Sequence, residues 1–387
     1  MHVFFSVGEP SGDQHAALLI QELRRRRPEL RVSGFGGPRM EQAGCQVLYP
    51  LTNLAVVGIF SVLPKLWEFY QLVRKARDYL RRHRPELVVV VDFPGFNWHI
   101  ARAAKSLGIP VIYYLPPQLW AWAPWRIRKV RKYVDLVLSG LPFEAEWYAQ
   151  RGVPVLYVGH PFFDEVLRHP LDTAFLKEWS PESGATVAVL PGSRNHEVQS
   201  CWPLLLEAVR RLSERHPDAQ FLVANYKESQ RRYCRELYHE SRLKLPVSFF
   251  VGKTQEIIHL ADCAMMVSGS VSLEMLARGT PATAVYRCGW PTYLIGRLLI
   301  TCPYISLPNL IAGRKVMPEH VSVGDPEPVI CELVRDVDRW LSSPSALDQS
   351  RTEFQAVRRQ VHSVGASERA AEVILSRLPV APQRQAA

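Results

Sequence analysis

In four places a short apolar run gives way at once to small and charged residues, the arrangement by which a strand hands a reactive side chain to solvent. Residues 88–91 are all valine and deliver Asp92, followed by Phe93-Pro94-Gly95-Phe96-Asn97. A carboxylate at the end of a buried strand is costly unless it is paired or has a role, so Asp92 is a candidate general base; binding the N–H groups of its own turn is the equal alternative. The first run, 2–7, ends in Gly8-Glu9-Pro10-Ser11-Gly12-Asp13, a turn where backbone can approach a substrate and a carboxylate can project. The plain alternative there is Ser11 or Asp13 capping a helix. Residues 187–190 end in Pro191-Gly192-Ser193-Arg194, and a planar guanidinium at that place suits a diphosphate better than a surface ion pair. Residues 265–267 end in Ser268-Gly269-Ser270, small residues at a helix start whose N–H groups and dipole attract anions. Glu274, one turn further on, can take two ribose hydroxyls or simply answer the helix dipole.

These points need strands to place them. Short β-rich runs alternate with helical patterns: 2–7 then 16–27, 87–91 then 98–107, and 111–115, 136–139 and 155–158. After a polar stretch at 169–184 the alternation restarts with 186–190 then 201–216, 220–224 then 228–241, 247–251, 264–267 then 272–278, and 282–286. Such alternation builds parallel sheets covered by helices, so the class is α/β, with two doubly wound Rossmann-like domains in tandem. Ligands of such sheets sit beyond the carboxyl ends of the strands, where all four points fall. The expected domains are 1–168 and 169–345, then helices at 346–378 packing back on the N-terminal domain and a flexible tail at 379–387. Gly34, Gly36 and Gly37 lack G-x-G-x-x-G spacing, so a nicotinamide site has no support.

The chain has 387 residues, 47% of them hydrophobic and 22% charged, which excludes wholesale disorder and a small disulfide-stapled module. Seven scattered cysteines show neither C-x-x-C nor zinc spacing, so reduced thiols and no metal are expected. The net charge of +10 is uneven: residues 1–165 carry 21 bases against 14 acids. That surplus suits an anionic partner. Residues 1–7 lack a basic n-region, so they read as a strand rather than a signal peptide. The nearest approach to a membrane span, 290–313, is interrupted by Pro291, Pro303 and Pro308.

Val62, Leu66, Phe69, Val73, Ala76 and Leu80 recur at helical spacing between Lys65, Arg74, Lys75, Arg77, Arg81 and Arg82, with Leu63, Trp67 and Tyr70 widening the apolar face. A core-facing helix with a basic outer side explains the stripe; a helix lying in the bilayer interface explains it together with the flanking aromatics. Residues 120–133 repeat the theme with Trp120, Trp122, Trp125 and five bases. Two such clusters favour an anionic membrane surface, bound peripherally. No nucleic-acid-binding signature accompanies them, so nucleic acid is not an expected partner.

Taken together, the blocks GEPSGD (8–13), GFGGPRMEQAGC (34–45), VVGIFSVLPK (56–65), DFPGFN (92–97), GIPVIYYLPPQLWAW (108–122), LPFE (141–144), VGHP (158–161), LPGSR (190–194), SGSVSLE (268–274), YR (286–287) and LPNLIAGRKVMPE (307–319) resemble the lipid-A-disaccharide synthase family, inverting glycosyltransferases of the GT-B type. The resemblance implies a site in a cleft between an acceptor- and membrane-facing first domain and a UDP-sugar donor domain. It implies transfer of 2,3-diacylglucosamine from its UDP conjugate to 2,3-diacylglucosamine 1-phosphate (lipid X), giving a β-1,6 disaccharide 1-phosphate and UDP, without cofactor or metal. It implies a cytoplasmic protein at the inner membrane, and an oligomer is compatible with it. Carried across, Asp92 and Glu9 would be catalytic. Gly192, Ser193, Arg194, Ser268, Gly269, Ser270, Glu274 and Arg287 would hold UDP, and Ser11, Asn97, Asn309 and Glu319 would line the acceptor side and cleft. Leu63, Leu66, Trp67, Phe69, Tyr70, Trp120, Trp122 and Trp125 would face lipid. Two family acids are replaced, by Ser61 and Gly95. Those losses would also suit a relative with another lipid acceptor or a non-catalytic UDP-sugar-binding protein.

Overall fold

The computed structural model describes residues 1–52, 66–361 and 364–379, and the side chain of Leu66 is not among what it describes. The chain divides into two compact units, Met1–Asp164 with Val364–Ala387, and Glu165–Ser363. The first boundary thus falls at Asp164, a few residues before the expected 168.

The first unit is a seven-stranded, wholly parallel sheet. Its strands are β1 (His2–Val7), β2 (Arg31–Phe35), β3 (Gln46–Tyr49), β4 (Leu87–Val91), β5 (Val111–Tyr114), β6 (Leu136–Ser139) and β7 (Val155–Tyr157), in spatial order β3-β2-β1-β4-β5-β6-β7. β1, apolar but for His2 and Ser6, and β4, apolar throughout, are both fully buried and form its centre because helices cover both faces. Val7 pairs with Val91 in register, so the chain leaves both strands side by side at the point where the winding reverses.

The second unit repeats the plan with six parallel strands: β8 (Thr186–Leu190), β9 (Gln220–Asn225), β10 (Val247–Val251), β11 (Cys263–Val267), β12 (Ala282–Arg287) and β13 (Glu319–Ser322), ordered β10-β9-β8-β11-β12-β13. Here the winding reverses between β8 and β11, where Leu190 pairs with Met266. A crevice opens at such a reversal because successive connections depart to opposite faces of the sheet.

Helices begin earlier than periodicity suggested. The first runs Pro10–Arg26 rather than 16–27, and the one after β4 runs Pro94–Ser106 rather than 98–107, each with proline at its first turn. Proline costs nothing there, since its missing N–H would have had no partner inside the helix. The expected helix across the basic stripe spans Leu66–His83, with Leu72, Ala76 and Leu80 buried against the sheet; Val62, Leu63 and Lys65 lie outside the described residues.

The last helices do not stay together, as 346–378 was expected to. Pro344–Arg358 belongs to the second unit, whereas Ala366–Ser376 returns to the first and packs on Pro10–Arg26, burying Ala370, Ala371 and Ile374. The return is anchored by Asp164, whose buried carboxylate accepts from the N–H groups of Gly365, Ala366 and Ser367 at the helix start, while Arg369 Nε donates to the Val158 carbonyl at 2.8 Å. Removing a charged acceptor of this kind costs about 2 kcal/mol. Asp164→Ala is therefore expected to lower stability by roughly that amount in denaturant melts and to speed amide exchange selectively in 366–376. Uniform exchange behaviour with unchanged stability would show that the helix docks without this cap.

Candidate active site

At the reversal in the first sheet the backbone takes an uncommon path. Asp92 and Phe93 both adopt left-handed conformations, φ 46° and 42°, which side chains other than glycine avoid. Asn97, fully buried one turn into the next helix, holds them there. Its amide nitrogen donates to the carbonyls of Asp92 at 2.7 Å, Val91 at 2.9 Å and Ser6 at 3.2 Å, and its oxygen accepts from Ser6 Oγ at 2.6 Å. The Tyr113 hydroxyl adds a bond to the Asp92 carbonyl at 2.8 Å. With its carbonyl pinned from two sides, Asp92 turns its carboxyl toward the first turn of the helix Pro10–Arg26, beside Gly12. Gly8 is required for the same packing: a Cβ there would lie 2.1 Å from the Phe93 ring.

Asp92 as a residue is half-buried, with its carboxyl directed inward beside Gly12. Burial, reinforced by the negative charges of Glu9 and Glu144, lifts it from its ordinary 3.8 to about 8. Glu144 is buried and is itself raised to about 7; it accepts from Trp120 Nε1 at 3.0 Å and Ser139 Oγ at 2.7 Å. Glu9 and Ser11 are exposed at the helix start, as projecting groups must be. Asp13 does not cap its own helix; it is buried and accepts from the N–H groups of Gly37, Arg39 and Met40, fixing the neighbouring helix Pro38–Gln42.

Several expected roles change. Asn97 does not line an acceptor site, because every polar atom of its amide is spent on the turn. Trp120 is buried on Glu144 and edge-on to Phe143, so its ring does not face outward, and Phe69 is half-buried against Phe96 and His99. Trp67, Tyr70, Trp122 and Trp125 remain exposed, with Trp67 stacked on Tyr70 and Arg126 over the Trp122 ring. Gly95 is exposed and a Cβ there would meet nothing within 4 Å, so the missing family acid leaves open space; Ser61 lies outside the described residues. Tyr113, Ser6 and Glu144 were not singled out from sequence. A tyrosine or serine inside an apolar strand is a weak signal, although each demands a polar partner.

In the second unit, Gly192 (φ 117°) folds the β8 turn back onto Glu197, whose carboxylate accepts from the N–H groups of Ser193 and Arg194. The Arg194 guanidinium touches the same carboxylate at 2.9 Å, yet its side chain is 72% exposed. A cation so placed, at the start of the 21-residue helix Asn195–Arg215, can add an anion's oxygens to its contacts without being uprooted. Gly269 and Ser270 are exposed at the start of Val271–Arg278, while Ser268 donates to the Ile305 carbonyl at 2.9 Å. Glu274 is buried, raised to about 7 by that burial, and paired with Arg278 at 3.3 Å, so it does not reach toward solvent as expected. Arg287 ends β12 and is half-buried.

Asn309 is fully buried and Glu319 half-buried, and both are tied into the protein's own hydrogen bonds. Asn309 accepts from the N–H groups of Val316 and Met317 and donates to Glu319, which accepts in turn from Ile305 and Ser306. Together they hold the loop that supports Ser268. Among the described residues no three His, Cys, Asp or Glu side chains converge as metal ligands.

Comparison with known proteins shows the family. A family model described as lipid-A-disaccharide synthetase matches residues 3–352. The chain is 38% identical over 345 residues to a lipid-A-disaccharide synthase of Nitrosococcus oceani, covering 86% of this chain and 87% of the relative. It is 35% identical over 373 residues to that of Anaeromyxobacter dehalogenans, covering 96% of both. In fold it is similar to the UDP-GlcNAc 2-epimerase of Neisseria meningitidis bound to UDP-GlcNAc, with TM-score 0.67, 13% identity and coverage of 97% of this chain and 100% of the other.

Two outcomes follow from the Asp92 turn. Asn97→Ala removes a partner from the Ser6 and Val91 carbonyls and the Ser6 hydroxyl and leaves the Asp92 carbonyl to Tyr113 alone, and is expected to cost about 2–4 kcal/mol in chemical unfolding. The folded protein keeps a proton on Asp92 up to about pH 8, whereas the unfolded chain loses it near 3.8. Native stability therefore falls as pH rises through that window. Asp92→Asn removes the penalty, so its melting temperature should gain on the parent's between those pH values and hold the gain above them. A difference that ignores pH would contradict the raised carboxyl.

Proposed function

The chain belongs to the lipid-A-disaccharide synthase family, and from that premise we propose how its residues divide the reaction. The enzyme is a glycosyltransferase that joins 2,3-diacylglucosamine from its UDP conjugate to O6 of lipid X. In our reading Asp92 takes the O6 proton as the oxygen attacks C1 of the donor from the face opposite UDP. The C1–O bond breaks, its electron pair leaves on the diphosphate, and the anomeric configuration inverts. A carboxyl whose proton affinity lies near neutrality is matched to this step, because it can accept the proton during attack and release it afterwards.

Arg194 and the N–H groups at Gly269 and Ser270 would stabilise the charge growing on the departing diphosphate. Gly192 and Ser193 shape that turn, and Glu274 would reach ribose only by leaving Arg278. Glu9 and Ser11 border the acceptor side, with Glu9 also tuning Asp92. Trp67, Tyr70, Trp122 and Trp125 would rest on the inner face of the cytoplasmic membrane, where both acylated substrates reside. Among the described residues no helix is long and apolar enough to cross a bilayer. The single observation behind the assignment is the placement of Asp92 and Arg194 each at the winding reversal of its own sheet. The family match over nearly the whole chain does not favour a different acceptor or a non-catalytic protein.

Purified protein given both substrates in mild detergent is expected to yield disaccharide 1-phosphate and UDP by mass spectrometry. Asp92→Asn should lower kcat by about 10²–10⁴ with little change in donor binding. Arg194→Ala should instead raise the donor KM by about 10–100-fold. Near-full turnover by folded Asp92→Asn would remove Asp92 as base, and UDP binding without disaccharide would point to another acceptor.

A further inference from the structure

The helix Trp290–Leu299, in the second unit, is built inside out. None of its residues is buried. Trp290, Leu294, Ile295, Leu298 and Leu299 are all exposed, Leu298 at 84%, and Ile300 just beyond is exposed as well. At about 100° per residue, Trp290, Leu294, Leu298, Pro291, Ile295 and Leu299 follow one another around half of the helix circumference. The half-buried residues are Tyr293 and Gly296, on the opposite side. The more apolar face is thus the one turned away from the protein, contrary to the pattern of a surface helix. A continuous apolar patch of this kind marks a binding surface.

Charge selects the occupant. Residues 288–318 contain Arg297, Arg314 and Lys315 and no carboxylate. Arg314 is tied to Glu353, whereas Arg297 lies along the flank of the helix over the Tyr293 ring, its guanidinium 5.9 Å from the centroid. An exposed tryptophan opens the helix and contacts Tyr293 edge-on. An apolar half-cylinder with an interfacial tryptophan, a flanking cation and no acid fits an anionic bilayer surface, into which such a helix sinks parallel to the plane. We propose that Trp290–Leu299 is a bilayer-docking helix, giving the second unit its own hold on anionic lipid. This goes beyond the aromatic and basic surface of the first unit and stands or falls separately from the reaction assigned above.

The test uses the full chain with phosphatidylcholine vesicles, with and without phosphatidylglycerol. Amide exchange in 290–300 is expected to slow on anionic vesicles. The variant Leu294→Ser/Ile295→Ser/Leu298→Ser should bind them about tenfold or more weakly, with turnover on detergent-dispersed substrates and thermal melting unchanged, since it alters only exposed side chains. Arg297→Gln should weaken binding to anionic vesicles and leave neutral ones unaffected. Unchanged vesicle binding by the triple variant, with no slowing of exchange in 290–300, would overturn the proposal. With vesicle binding unchanged, a shift from dimer to monomer would make a second copy the occupant, and a raised KM only for long-chain substrates would make it a substrate acyl chain; either overturns the proposal. If the wild type bound vesicles through this helix but made no disaccharide, the docking would stand and the reaction assignment would fail.

Discussion

One buried amide governs the first unit. Asn97 binds carbonyls at the ends of β1 and β4 and locks Asp92 in a conformation it would not adopt alone. A left-handed aspartate costs about 1–3 kcal/mol, which the buried hydrogen bonds offset. The consequence is chemical as well as mechanical. The carboxyl is set among Glu9, Glu144 and burial, all of which favour its proton. Position and proton affinity therefore have a single origin.

In the proposed reaction the second unit meets a different demand with similar parts. A diphosphate needs cations and N–H groups that are already fixed yet still accessible. Glu197 fixes the Ser193–Arg194 turn from within, and the Asn309–Glu319 pair fixes the loop that supports Ser268, so Arg194, Gly269 and Ser270 can remain exposed. Buried carboxylates and amides hold the backbone while the groups facing solvent stay available. Glu274 is the exception, since in this structure it is held by Arg278.

Alternating strand and helix patterns made most of both sheets legible, and the rule about carboxyl ends pointed to Asp92 and Arg194, because strand periodicity and the apolar runs are local properties. β2, β3 and β13, whose sequences mix in Arg31, Gln46 and Glu319, fall outside those runs. Helix starts were read late, since Pro10 and Pro94 look like turn residues until a helix is known to follow them. Roles that depend on long-range partners were not legible. Asn97, Asn309 and Glu319 have the composition of ligand-binding residues, and only tertiary structure shows them satisfied internally. Asp13 looked like a cap for its own helix and caps another, and Trp120 looked like a lipid contact until Glu144 was found to bind it. In the basic stripe Leu72, Ala76 and Leu80 serve the core, while Trp67 and Tyr70 stay exposed, which by itself does not decide what they meet.

As the proposed base, Asp92 is poised near neutrality by its turn. The pH dependence of kcat/KM for disaccharide formation tests this role most directly, because that quantity reports ionisations of the free enzyme. An acid limb of unit slope that levels off near pH 8 is expected, the value to which burial and the neighbouring carboxylates lift Asp92. A rate that stays flat down to the ordinary carboxylate range would contradict it.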